Sequence, residues 1–220
     1  MPRIIDLTLP IRKHWRWPAE VSLLRTYERG DGLQTSRLAM DVHGFTHVDS
    51  PRHFVSGGPN LDHVPLDAVM GEAAVVDLTE KRPNEGIGAA DLERAGRHVR
   101  EGDIVLLKTG WETQRSWESQ EYWSEAPYLT AEGAEWLASR KVKAVGCDFP
   151  QDYAIRKMGV VPVAADEFVV HHIFLSRGIL NVEYLTNLHL LTQERVWFSA
   201  LPIKIEGAEG APARAVAVLD

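Results

Sequence analysis

The eleven residues His43-Gly-Phe-Thr-His-Val-Asp-Ser-Pro-Arg-His53 hold three of the chain's nine histidines together with an aspartate. Neutral imidazole and carboxylate are ligands that zinc, manganese and iron accept, so the stretch reads as a divalent-metal site that any fold of this chain must accommodate. On a helix, His43 and His47 at i and i+4 would share a face. Gly44, the β-branched Thr46 and Val48, and Pro51 argue against a helix here. In an extended chain His43, His47, Asp49 and His53 have equal parity and project to one side. At roughly 3.3 Å per residue a flat strand would hold His43 and His47 about 13 Å apart, too far to share one ion, so the chain must bend. Gly44 is the expected bend and Pro51 the expected exit of an irregular strand into a loop. A lone histidine is more often a plain core or surface residue, but that explanation must recur at each of these positions.

A chain of 220 residues is long enough for one sizeable core, and no break in composition asks for two domains, so residues 1–220 read as a single domain. A net charge of -7 disfavours nucleic acid as a partner. Neither a membrane-spanning apolar run nor a signal-peptide pattern is visible, and a single cysteine cannot form an internal disulfide. The expected location is therefore cytoplasmic, with no membrane partner.

Taken in order, residues 3–9 read as a strand closed by Pro10. The cluster His14-Trp-Arg-Trp-Pro18 reads as a loop whose tryptophans either pack on the body or face a substrate. Residues 21–27 and 33–42 alternate as strands around the turn signal Gly30-Asp31-Gly32. Buried strands are expected at 73–78, 103–108 and 142–146, and helices at 89–99 and, capped by Thr130, at about 130–141. The helix between the last two strands suggests a crossover, and hence an α/β sheet with some parallel pairing. The tryptophan-rich region 111–127 reads as irregular, either a lid or oligomer contact or an ordinary surface loop. Cys147 reads as a small buried residue at a strand end rather than a nucleophile.

Residues 166–177 have helical spacing and stop at Gly178, before a short strand over 179–183 and a further apolar run at 187–191. His171 and Glu183 would be about 18 Å apart on one continuous helix. The break at Gly178 permits the chain to reverse and bring them together. The end of the chain, 202–219, reads as two strands joined by a glycine-containing turn.

The pattern His43, Thr46-His47, Asp49, Pro51, His53 resembles the His-x-Gly-Thr-His-x-Asp-x-Pro-x-His motif of the cyclase-like metal-dependent hydrolase family, which includes bacterial kynurenine formamidase and isatin hydrolase. The likeness extends in order through residues 103–111, 134–137, 145–148, His171, Gly178-Ile179, Glu183 and 202–207. The resemblance implies a mixed-sheet, swivelling β/β/α fold forming homo-oligomers, and one or two divalent ions, zinc or manganese. It also implies that His43 and His47 hold one ion, that Asp49 and Glu183 are shared between two, and that His171 holds the second. His53 would be the proton-transfer residue, and Trp17 would touch an aromatic substrate. Two departures stand out: Phe45 occupies the place of the glycine before the threonine, which would put a bulky ring near the metal, and Trp17-Pro-Ala-Glu20 replaces a Trp-Pro-Gly-Asp run.

The expected function is a metal-dependent hydrolase that cleaves an amide bond of a small molecule with metal-activated water, an aryl formamidase acting on N-formyl-L-kynurenine. Isatin-type lactam hydrolysis is the alternative within the enzymes. A metal-stabilised binding module without turnover is the alternative outside them, although structural zinc sites are usually closed by four ligands and rich in cysteine.

Overall fold

Apolar runs without alternation need cover on both faces of a sheet, and this chain supplies it from inside a barrel and from a layer of helices. The structure is a computed structural model that describes residues 2–219. Its strands are β1 (Arg3–Asp6), β2 (Ala19–Arg25), β3 (Thr35–Met40), β4 (His47–Asp49), β5 (Met70–Asp77), β6 (Gly86–Ile87), β7 (Ile104–Lys108), β8 (Tyr128–Leu129), β9 (Ala144–Cys147), β10 (Leu180–Glu183), β11 (Arg195–Pro202) and β12 (Gly210–Leu219). Its α-helices are α1 (Ala89–Ala95), α2 (Trp111–Gln114), α3 (Gln120–Ser124), α4 (Ala131–Ser139) and α5 (Val169–Leu175).

Eight strands form one mixed sheet in the order β1-β12-β11-β5-β7-β9-β10-β4, and β12 also pairs with β4, which curls the sheet into a barrel. The long strand β12 makes this closure possible. Its Gly210–Pro212 end pairs with β4, its Val216–Leu219 end pairs with β1, and its other edge pairs with β11. Both edges of β4 are thereby paired, so the strand carrying His47 and Asp49 is held on each side. The steps β5 to β7, β7 to β9 and β9 to β10 are parallel and pass through α1, α4 and α5.

Strand parity sorts the side chains into two cores. Val48, Ala73, Val75, Ile104, Leu106, Val182 and the alanines 211, 213, 215 and 217 pack inside the barrel. Ala74, Val76, Val105, Leu107, Val145 and Cys147 face outward against Leu92, Leu137, Trp136 and Phe174 of the helices. His47, Asp49, Asn181 and Glu183 belong to the outer set by the same parity, since Val48 and Val182 point into the barrel.

The mixed α/β architecture agrees with the reading of the sequence, and several boundaries differ. The helix predicted at 89–99 stops at Ala95, where Gly96 follows, and Thr130 caps α4 by accepting the Gly133 N–H. The helix predicted from Asp166 is split, with a 3-10 turn at Ala165–Glu167 and α5 starting at Val169. The apolar run at 187–191 contains a 3-10 turn over Leu188–Leu190, and the first of the two C-terminal strands runs from Arg195 to Pro202. Region 111–127 contains α2 and α3 and buries Trp111, Tyr122 and Trp123 in the outer core of its own chain. Among the described residues the hairpin of β2 and β3 has no third strand, and Val21, Leu23 and Leu38 are exposed on it.

Candidate metal centre

The antiparallel register of β4 and β10 sets the centre. Asn181 lies opposite Asp49 and Glu183 opposite His47, so one carboxylate from each strand reaches the same outer face. Helix α5 lays His171 over that face. The expected reversal at Gly178 is present, with φ +73°, and it brings His171 Nε2 to 3.5 Å from Glu183 Oε1.

Asp49 is the hub. Its Oδ1 lies 2.7 Å from His43 Nδ1 and 3.1 Å from His47 Nε2, and its Oδ2 lies 3.5 Å from His171 Nε2. Asn181 Nδ2 donates to Oδ2 at 3.4 Å. His43 reaches this hub although it lies outside β4, because the chain bends between residues 41 and 45. The left-handed residue at that bend is Phe45, with φ +61°, and not Gly44 as the sequence suggested. Gly44 is needed for close approach instead: a Cβ there would lie 3.3 Å from the Asp41 carbonyl oxygen and 3.4 Å from Trp17. The Phe45 ring, expected beside the metal, turns into the outer core against Trp17, with ring centroids 4.7 Å apart. It is the Phe45 carbonyl that meets the site, accepting from His47 Nδ1 at 2.8 Å. That bond fixes the tautomer of His47 and leaves its Nε2 lone pair aimed at the two carboxylates.

His53 sits on the 3-10 turn after Pro51, its ring stacked on His43 with centroids 3.8 Å apart. The donor atoms form two groups that could each surround a cation, His43–Asp49–His53 and His47–Asp49–Glu183, and Asp49 belongs to both. His171 falls in neither group, at 3.5 Å from both carboxylates.

The electrostatics ask for positive charge. Burial favours neutral Asp49, yet the nearby His47, His171 and His43 rings hold it well below the usual carboxylate range. Burial raises Glu183, with His171 opposing and Asp49 adding to the rise. Against their own burial, Glu183, Asp152 and Asp49 hold His171 well above the ordinary histidine value, and Asp49 raises His43. His53 differs: burial, assisted by the neighbouring histidines, lowers it to about 4 despite Asp49. His47 Nε2 and Glu183 Oε1 are buried without a hydrogen-bond partner. A divalent cation fits this set, because it supplies the missing charge and gives both orphaned atoms a partner.

Three supporting residues carried no spacing signal in the sequence. Asp152 lies 2.6 Å from His171 Nδ1 and accepts the Val170 and His171 backbone N–H groups, so one carboxylate starts α5 and orients its histidine. Glu209 lies 3.3 Å from His43 Nε2. Gly210 underlies His43, where a Cβ would meet the ring at 2.6 Å.

Beside the cluster lies a cavity of about 570 Å³ whose walls include Trp15, Arg16, Trp17, Phe168, His53 and Glu183. Trp17 lines this cavity and is wedged between Phe45, Trp123 and Tyr184. Cys147 is fully buried, and burial, then Glu183 and Asp148, push its thiol well above the ordinary value, so it offers no thiolate.

A barrel whose outer face gathers histidines and carboxylates beside an aromatic cavity defines a metal-site protein of hydrolase type. The family model described as "Putative cyclase" matches residues 5–151, and the chain belongs to that family. It is 32% identical over 207 residues to the kynurenine formamidase of Salinibacter ruber (strain DSM 13855 / M31), covering 92% of this chain and 85% of that one. A structure described as a potential metal-dependent hydrolase with cyclase activity superposes with a TM-score of 0.75 at 26% identity, over 100% of this chain and 99% of that one. Isatin hydrolase A from Labrenzia aggregata, bound to benzyl benzoate, shares the fold with a TM-score of 0.81 at 21% identity, over 99% and 94% of the two chains.

Proposed function

We propose that this protein is a metal-dependent amide hydrolase that removes the formyl group from N-formyl-L-kynurenine or a close aryl formamide. The observation that carries the reading is the hub at Asp49, where carboxylates and imidazoles converge with orphaned donor atoms next to an aromatic-walled cavity. His43, His47, Asp49, His171 and Glu183 are the proposed ligands of one or two divalent ions, zinc or manganese, which accept this donor set. When bound, such an ion lowers the pKa of a water molecule from about 15.7 towards about 7 and polarises the amide carbonyl.

The chain's own residues supply the rest. His53 borders the cavity and is held neutral by its burial, so its ring can take a proton from the attacking water and return it to the departing nitrogen. Trp17 lays an aromatic surface beside the substrate ring. Asp152 and the Phe45 carbonyl hold the His171 and His47 rings in place. The relatives named kynurenine formamidase support the formamide over a lactam substrate.

The protein acts in this reading as one domain over residues 1–220, in the cytoplasm and as a homo-oligomer. The unpartnered β2–β3 hairpin, with its exposed apolar side chains, supports self-association. No helix among the described residues is long and apolar enough to cross a membrane.

The test is formate release from N-formyl-L-kynurenine by the purified protein, before and after chelation and after zinc or manganese is restored. Chelator-sensitive, metal-restored release is expected. Metal-replete protein that releases no formate from this substrate would overturn the formamidase reading.

A further inference from the structure

The cavity carries two charges that the metal centre does not use. Arg16 lies on its wall with its guanidinium carbon 4.3 Å from the Trp123 ring centroid, and its Nη2 donates to the Ile155 carbonyl at 3.0 Å. Those contacts fix the plane of the guanidinium and leave its other donors free. Among the described residues no carboxylate forms an ion pair with Arg16. The contrast is Arg12, which also sits over a tryptophan, Trp117 at 4.9 Å, but is neutralised by Glu118 at 3.2 Å. Asp41 lines the same cavity and is likewise without an ion-pair partner among the described residues. Opposite charges in one cavity ordinarily close on each other. Here Arg16 sits over Trp123 and forms no ion pair with Asp41.

A cavity with aromatic walls, a fixed guanidinium fork and a separate carboxylate matches one kind of ligand: an aryl compound ending in an α-amino acid. The fork suits a carboxylate bidentately and Asp41 suits the ammonium. We infer that Arg16 and Asp41 are specificity-determining residues that bind the carboxylate and the ammonium of a zwitterionic amino-acid end of the substrate, remote from the bond that is cut. The inference rests on the amide-hydrolase reading of the same cavity and adds what selects its substrate. A site built to pair charged groups rejects an analogue that lacks them, because its own groups are left unpaired.

The experiment compares wild type, Arg16→Gln and Asp41→Asn on three formamides: N-formyl-L-kynurenine, its analogue without the amino group, and 2-formamidoacetophenone, which lacks both charges. Arg16→Gln is expected to lower kcat/KM by about 10–100-fold for the two acids, chiefly through KM, and to change the neutral compound far less. Asp41→Asn is expected to lower it only for the zwitterion. Equal losses on all three compounds, or no loss on any, would overturn the inference.

Calorimetric titration of the same proteins with L-kynurenine and with 2-aminoacetophenone gives a readout independent of turnover. Binding of the amino acid that weakens about tenfold in Arg16→Gln, while the neutral ketone is unaffected, supports the inference even if no formate is released, in which case only the hydrolytic reading falls. Formate release combined with amino-acid binding indifferent to Arg16 has the opposite meaning. A wild type that binds neither compound and releases no formate overturns both.

Discussion

At the scale of single residues, the proposed proton-transfer role of His53 can be tested apart from the proposed metal ligands. His53 stacks on His43 and borders the cavity. His53→Ala should retain the bound metal and lose about 10²–10⁴-fold in kcat, checked by elemental analysis alongside turnover; near-normal activity would remove it from the reaction. Gly210 makes the opposite prediction. A Cβ at this position would overlap the His43 ring at 2.6 Å, so Gly210→Ala should displace His43 and weaken metal affinity about 10–100-fold, measured by competition with a chromophoric chelator. The two positions also mark what the sequence could reveal. His43, His47, Asp49 and His53 were legible because ligand chemistry and parity coincide within a short stretch. Asp152, Glu209 and Gly210 were not, because they act through contacts made across more than 15 residues of chain, where no periodicity exists. Phe45 is a further instance: a bulky residue at φ +61° is unfavourable in isolation, and here its ring is buried against Trp17 in the outer core.

At the scale of elements, the junction between α2 and the end of β9 stores a titration. Asp148 accepts the Thr109 hydroxyl at 2.6 Å and the Gly110 N–H at 2.8 Å, and its carboxyl is near that of Glu112, whose Oε2 is buried without a donor. Burial, then the neighbouring Glu112, lift Asp148 to about 8, and burial raises Glu112 as well, so one proton is held between the two. A carboxyl whose folded value exceeds its unfolded value stabilises fully below the unfolded value, near pH 4, and loses that contribution as pH rises to the folded one. Unfolding free energy should therefore fall between pH 5 and pH 8, by up to about 1.4 kcal/mol per pH unit for one proton. In Glu112→Gln an amide can donate to Asp148 without titrating. The slope should flatten in urea unfolding across this range, and an unchanged slope would contradict the shared proton. The salt-bridged Asp77 and Asp103, whose values are lowered, lose their contribution only at more acid pH and leave this window undisturbed.

Elements were legible in the sequence to different degrees for a physical reason. The runs 73–78, 103–108 and 142–146 declared themselves because barrel interior and helix layer demand apolar residues at every position. The strand Arg195–Pro202 was hidden because polar Arg195 and Ser199 and exposed Trp197 interrupt its pattern. The helix predicted from 166 looked continuous because its apolar spacing crosses Phe168, where the backbone leaves the helix.

At the scale of the whole molecule, the centre depends on barrel closure. β12 joins both ends of the sheet, presents Gly210 beneath His43 and secures one edge of β4, while β10 secures the other. That closure was not legible: the C-terminal residues announced two strands, but nothing in them stated that one strand would pair with three others. The centre thus draws on residues from 43 to 210, and Asp49 is the point where they meet. The most direct test of the account is the metal content of wild type and of Asp49→Asn after identical loading with zinc or manganese and desalting, with circular dichroism recorded on both. The account predicts one or two equivalents in wild type and almost none in a folded Asp49→Asn. A wild type that binds no metal under any loading condition, or a folded Asp49→Asn that keeps its full complement, would contradict it.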